Sequence, residues 1–285
     1  MIDLVDTLAR RPVVLDGGLG TLLEARGNDV TSALWSARVL RDDPGEVRAA
    51  HAAFAGAGAE VVITASYQLG FGGVIPDADV ETLLRRSVSL ACEAGDVVVA
   101  ASVGPVGALR ADGSEYTGSY GLTLAELRRA HRRRLHVLAG AGADVLAVET
   151  IPSPLEAEAL ALELADLDVP AFVSLSADSS GFTAPESLAA ALRTAASVPS
   201  VIAVGVNCCA PDSVPGALAG APDIPLVAYP NTGETWDAAT RTWHGGAAPL
   251  ADDAPSWVDA GARLVGGCCR STPADITAIA AAIRG

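Results

Sequence analysis

The sequence predicts a (β/α)8 TIM barrel, read as one domain over residues 1–285, and three observations lead there. Eight short runs rich in Val, Ile, Leu and Ala alternate with helical patterns, the order that builds a parallel sheet wrapped by helices. A phrase that ends a helix on Gly and launches a strand recurs as GAGAEVVIT at 56–64, GAGADVLAV at 140–148 and DAGARLVGG at 259–267. The 285 residues, with no composition break or long linker, come close to the roughly 250 typical of such a barrel.

In chain order the candidate strands are 13–15 (VVL), 60–65 (EVVITA), 97–103 (VVVAASV), 144–149 (DVLAVE), 170–175 (PAFVSL), 201–206 (VIAVGV), 225–229 (PLVAY) and 263–267 (RLVGG). Each is almost continuously apolar, as a strand covered on both faces must be. Between them, segment 77–94 sets Val80, Leu83, Leu84, Val88 and Ala91 on one helical stripe, and Cys92 on the Leu84–Val88 row is expected to pack in the core. Thr123 with Glu126, Ser153 with Pro154 and Glu156, and Thr272 with Asp275 read as capped helix starts. Two longer irregular stretches, 104–122 and 230–248, both follow predicted strands, so in a barrel they hang over the C-terminal face as substrate-covering loops. A doubly wound sheet is the alternative, but DGGLGT after the first strand lacks the G-x-G-x-x-G pattern.

Nineteen basic against 34 acidic residues give a net charge of −15, which repels nucleic acid and anionic lipid. All the basic residues are Arg, so Schiff-base aldolase, lysine-anchored pyridoxal and P-loop kinase chemistry are excluded. The Arg-rich run 128–134 is expected to be the solvated face of a helix, and His51, His131 and His136 to be structural. His244, Trp236 and Trp243 lie in the 230–248 stretch, where they could approach substrate or simply pack the loop. Apolar stretches such as 97–109 and 195–211 are broken by Pro, Ser or Gly, short of the roughly 20 residues of a membrane helix. MIDLVDTLARRPVV reaches Pro12 before any signal-like apolar run, so the expected location is the cytoplasm.

Chemistry is sought in the cysteines. Besides Cys92 there are two adjacent pairs, Cys208–Cys209 after the sixth run and Cys268–Cys269 after the eighth. Alternate strands of a barrel share a layer, so the two pairs can meet across the seventh strand. Neighbouring side chains on a strand point apart, so at most three thiols converge. Three would leave a tetrahedral metal one open position, suited to a soft sulfur ligand rather than to water activation. Nothing in the spacing chooses between Cys208 and Cys209.

Asp16-Gly17-Gly18, Thr64-Ala65-Ser66-Tyr67, Ser102-Val103-Gly104-Pro105, DGSEYTGSY at 112–120, Glu149-Thr150, Gly205-Val206-Asn207-Cys208, Tyr229-Pro230-Asn231 and Gly266-Gly267-Cys268-Cys269 together resemble the homocysteine S-methyltransferase family, in order, from about residue 12 to the C-terminus. The resemblance implies a zinc enzyme, one Zn2+ per chain held by Cys208, Cys268 and Cys269, that methylates L-homocysteine to methionine. It implies further that Glu149 receives the substrate ammonium with Asp16 close by, that the Gly17 and Gly18 amides and the Thr64 hydroxyl hold its carboxylate, and that Asn207 belongs to the same substrate-binding set. A methyl-sulfonium donor would leave as a neutral thioether and need no general acid, which suits the lack of a His at any predicted strand end. S-methylmethionine is the first expectation for the donor, then S-adenosylmethionine, then betaine. Methyl-cobalamin comes last, because the chain has no room for extra cofactor modules. A hydrolase on the same barrel, a selenol methyltransferase and a non-enzymatic zinc or thiol-binding protein are the other readings; oligomeric state is not legible.

Overall fold

All eight apolar runs become strands of one parallel sheet in the computed structural model, which describes residues 2–29, 35–110, 112–182, 184–237 and 242–284. They are β1 (Val13–Val14), β2 (Val61–Ile63), β3 (Val98–Val103), β4 (Val145–Ile151), β5 (Ala171–Leu175), β6 (Val201–Asn207), β7 (Leu226–Tyr229) and, after a two-stranded hairpin of β8 (Thr235–Asp237) and β9 (Thr242–His244), β10 (Ala262–Val265). The sheet order is β1-β10-β7-β6-β5-β4-β3-β2, and a parallel bridge between Leu15 and Val61 joins its two ends. The sheet is thus closed into a (β/α)8 barrel. The helices are α1 (Leu4–Leu8), α2 (Leu19–Ala25), α3 (Trp35–Asp42), α4 (Pro44–Gly56), α5 (Asp77–Cys92), α6 (Val106–Arg110), α7 (Leu124–Ala139), α8 (Pro154–Leu164), α9 (Pro185–Ala196), α10 (Ser213–Leu218), α11 (Leu250–Asp259) and α12 (Pro273–Arg284).

Strand alternation divides the core in two. Val13, Leu15, Val61, Val98, Ala100, Val145, Ala147, Phe172, Ala203, Val227 and Leu264 fill the barrel interior, with Leu4 and Leu8 of α1 packed against them. Their neighbours Val14, Val62, Val99, Ala101, Leu146, Val148, Val173 and Val204 face outward into a larger cluster shared with the helices. The recurring glycine phrase marks helix ends where Gly58, Gly142 and Gly261 take φ of 102°, 91° and 104°, a region costly for any other residue.

Several local expectations need correction. The stretch 104–122 contains α6 and a 3-10 turn at Ser114–Tyr116, and 230–248 contains the β8–β9 hairpin. Thr123–Glu126 and Thr272–Asp275 form both arms of their caps, but Ser153 forms only one. The Glu156 carboxylate turns inward, accepting from Val106 N–H at 2.7 Å and Tyr120 O–H at 2.9 Å and meeting His131 Nε2 at 2.9 Å. Arg134 leaves the solvated face and is fully buried, donating to the Gly104 carbonyl and touching His131, while Arg128 and Arg132 pair with Glu163 of α8. Cys92 is exposed, because the buried face of α5 runs through Val80, Leu84, Ser87, Val88 and Ala91 and the last residue rotates past it. His244 is exposed on β9; the side chains of Trp236 and Trp243 lie outside the described residues. No described helix is long and apolar enough to cross a membrane.

Candidate active site

Toward the C-terminal ends of the strands the inward positions change from apolar to polar. After Ala100 comes Ser102, after Ala147 comes Glu149, after Phe172 comes Ser174, and Val227 is followed by Tyr229. These side chains meet across the barrel: Ser102 Oγ donates to Glu149 Oε1, Tyr229 O–H donates to Glu149 Oε2 at 3.2 Å, and the Ser174 and Tyr229 hydroxyls lie 2.7 Å apart. Glu149 is only 7% exposed, and burial pushes its carboxyl up from 4.5 to about 7, with the Ser102 and Tyr229 hydrogen bonds pulling the other way. Asp16, just past β1, is also buried and accepts from Ile63 N–H at 2.8 Å; burial lifts its carboxyl well above the usual range, and the charge of Glu149 adds to the rise.

Both acids line one pocket with Gly17, Gly18, Thr64 and the cysteines Cys208, Cys268 and Cys269. No Arg, Lys or His is among the described residues that line it. Two carboxylates buried without an internal cation are poised to ionise around a cation that arrives with a ligand.

Thr64 is placed differently from expectation. Its Oγ1 accepts from Ser102 N–H at 3.0 Å and lies 2.7 Å from Ser66 Oγ, whose own proton goes to the Ser102 carbonyl. The Thr64 proton is therefore spent on Ser66, leaving an acceptor, which suits an ammonium better than a carboxylate. Gly18 N–H is likewise taken, by the Ser271 carbonyl and hydroxyl, whereas Gly17 N–H makes no hydrogen bond among the described residues. A Cβ on Gly18 would stand 2.6 Å from the Cys268 carbonyl, so only glycine lets this loop lie against the cysteine turn.

Cys208, Cys268 and Cys269 bring their sulfurs within 4.8 Å of one another, the one group of this kind among the described residues that could hold a metal ion. Cys209 points away into the helix-facing core and is buried there, outside the three-sulfur group. The segment after β7 stitches the two cysteine turns together. Cys268 N–H donates to the Pro230 carbonyl at 2.7 Å, Cys269 N–H to Asn231 Oδ1 at 3.0 Å, and Asn231 N–H to the Cys209 carbonyl at 2.9 Å. The hydrogen bonds the three thiols exchange, their burial and one another's charge leave all three well above the ordinary thiol value. A divalent cation reverses that, and three soft donors with a fourth side open to the pocket fit a catalytic rather than a structural metal.

Asn207 does not line the pocket. It is fully buried, accepting from Thr150 N–H at 2.8 Å and donating to Thr150 Oγ1 at 2.7 Å. That grip holds Thr150 at φ 59°, in a bulge where the β4–β5 register shifts between Val148 and Ile151. The other described non-glycine residues with positive φ are Cys208 itself, at 50°, and Arg270, at 71°, next to Cys269, so backbone strain is concentrated at the cysteine turns. The sequence assigned no role to Ser102, Tyr229, Tyr67, Gln68, Glu115 or Tyr116. The first two were findable as polar residues at inward positions of apolar strands.

A closed barrel with a three-thiol cluster fit to hold a metal ion and a buried acid pair at its C-terminal mouth defines an enzyme of sulfur chemistry. The profile described as homocysteine S-methyltransferase matches residues 13–283, and the chain belongs to that family and is an enzyme of that type. Among its relatives, homocysteine S-methyltransferase 4 of Zea mays is 45% identical over 95% of this chain and 89% of its own length. The homocysteine S-methyltransferase of Escherichia coli strain K12 is 42% identical over 94% of each chain. The solved structure of the homocysteine methyltransferase MmuM from Escherichia coli, in its metallated form, superposes with a TM-score of 0.82 at 39% identity, covering 95% of this chain and 96% of that one.

Proposed function

We propose that the enzyme transfers a methyl group from S-methylmethionine to L-homocysteine, with one Zn2+ held by Cys208, Cys268 and Cys269. The observation that carries this reading is the absence of any basic group from the described lining of a pocket that joins three thiols to two buried acids. Such a pocket favours cationic ligand groups and disfavours a polyanionic donor such as a folate.

Zn2+ at this centre would supply a fourth coordination position that keeps the homocysteine sulfur deprotonated. Glu149 and Asp16 receive the homocysteine ammonium, with the Thr64 hydroxyl accepting a further N–H, and Gly17 N–H is the amide left to hold the carboxylate. Ser102 and Tyr229 fix the Glu149 carboxylate from behind, and Asn207 acts one step further back as a positioning residue. The acceptor sulfur attacks the methyl carbon in line as the bond from that carbon to the donor sulfur breaks. The bonding pair stays on the donor sulfur, which leaves as a neutral thioether, so no side chain has to deliver a proton. The described lining, without a histidine, is adequate to this chemistry. Five free cysteines are consistent with a reducing, cytoplasmic setting.

The test is methionine formation by the zinc-loaded protein from homocysteine and methyl-labelled S-methylmethionine. Label in newly made methionine is expected; its absence with zinc bound and the fold intact rejects this donor.

A further inference from the structure

Besides the Asp16–Glu149 pair, the same pocket is lined by Gln68, Tyr67, Glu115 and Tyr116. Gln68 Oε1 and Glu115 Oε2 are each sealed from solvent without a hydrogen-bond partner. Natural proteins seldom leave such acceptors unpaired, because each forfeits its full desolvation energy, so two in one pocket point to a donor group brought by a ligand. Glu115 is held in place by its backbone, in the 3-10 turn Ser114–Tyr116, where Gly107 of α6 packs against the Glu115 main chain.

The two acidic places sit on different elements: Asp16 follows β1 and Glu149 lies in β4, whereas Glu115 sits in the 3-10 turn after α6. Tyr67 and Tyr116 line this pocket together with Glu115, Glu149 and the three cysteines.

We propose that Gln68 and Glu115 form a second ammonium subsite that binds the α-amino group of the methyl donor, with Tyr67 and Tyr116 walling the sulfonium between it and the cysteine centre. This rests on the sulfonium-donor reading above and deepens it: the site would select α-amino-acid sulfoniums and discriminate against donors lacking an α-ammonium. Burial pushes the Glu115 carboxyl up, and an ammonium partner would restore its charge.

The test uses the zinc-loaded full chain and two donors, S-methylmethionine and dimethylsulfoniobutanoate, the same sulfonium with hydrogen in place of the α-ammonium. Calorimetric titration without homocysteine measures donor binding, and labelled turnover measures the reaction. Glu115→Gln is expected to weaken S-methylmethionine binding about 10- to 100-fold, the worth of a charged hydrogen bond, and to narrow the wild-type preference over dimethylsulfoniobutanoate by the same factor. Homocysteine binding should be unmoved, which also shows that the variant is folded. Gln68→Leu should act in the same direction, more weakly. Unchanged S-methylmethionine binding in Glu115→Gln, or an equal loss for both donors, would overturn the subsite. Wild-type protein that binds S-methylmethionine with the expected Glu115 dependence yet forms no methionine would overturn the reaction and leave the subsite standing.

Discussion

Glu149 carries a pH dependence whose sign can be worked out. In the ligand-free folded chain its carboxyl titrates at about 7 rather than 4.5, so between those values the folded state holds a proton that the unfolded state has released. The associated stability is complete below the lower value and lost as pH rises through the upper one, a change of about 3 kcal/mol. Glu149→Gln should therefore raise the melting temperature of the ligand-free protein at about pH 8 and leave it nearly unchanged at about pH 5, while weakening homocysteine binding roughly 100-fold. Thermal melts at both pH values and a homocysteine titration check this; a variant that melts lower at the higher pH would contradict the buried, protonated state. In the wild type, homocysteine affinity should rise with pH through about 7, since only the ionised carboxylate can hold an ammonium. The acid was legible in the sequence as a carboxylate ending an apolar strand. Its hydrogen bonds to Ser102 and Tyr229 were not, because they join strands 47 and 80 residues apart.

At the scale of elements, the apolar runs gave the strands directly, because a strand buried on both faces has almost no polar residue to interrupt it. What escaped was set by tertiary partners. Arg134 falls on the same helical stripe as Leu127, His131, Leu135 and Leu138, all buried, but its charge and the neighbouring arginines led to the expectation of a solvated face. Glu156 abandons its helix cap to join His131 and Tyr120, and its charge favours the buried Arg134 guanidinium, which itself bonds His131 and the Gly104 carbonyl. Removing it leaves Arg134 and His131 buried without their acid, so Glu156→Ala should destabilise the protein by about 3–5 kcal/mol in denaturant melts. An exposed cap weighs less: Thr123→Ala should cost about 1 kcal/mol. The β4 bulge is a third such case. Its strained Thr150 was invisible without Asn207, 57 residues away, which is why Asn207 was expected among the substrate-binding residues and is found fully buried, outside the pocket lining.

For the whole molecule, a net charge of −15 together with a pocket whose described lining has no basic side chain forms a field that draws in cations. S-methylmethionine carries a net positive charge and homocysteine none, so raising salt from about 20 to about 500 mM should increase the donor KM several-fold and leave that of homocysteine nearly constant. Equal salt sensitivity would place donor recognition elsewhere. The barrel makes this site from residues more than 250 positions apart, since Asp16 follows the first strand and Cys269 the last. Its centre is the three-thiol cluster, and the most direct test is zinc content after dialysis for the wild type and for single Cys→Ser variants. The expected result is one zinc per chain in the wild type and in Cys209→Ser, with loss of retained zinc in Cys208→Ser, Cys268→Ser and Cys269→Ser while the circular dichroism stays that of a folded barrel. Full zinc in Cys208→Ser, or loss in a folded Cys209→Ser, would contradict the assignment on which the proposed methyl transfer rests.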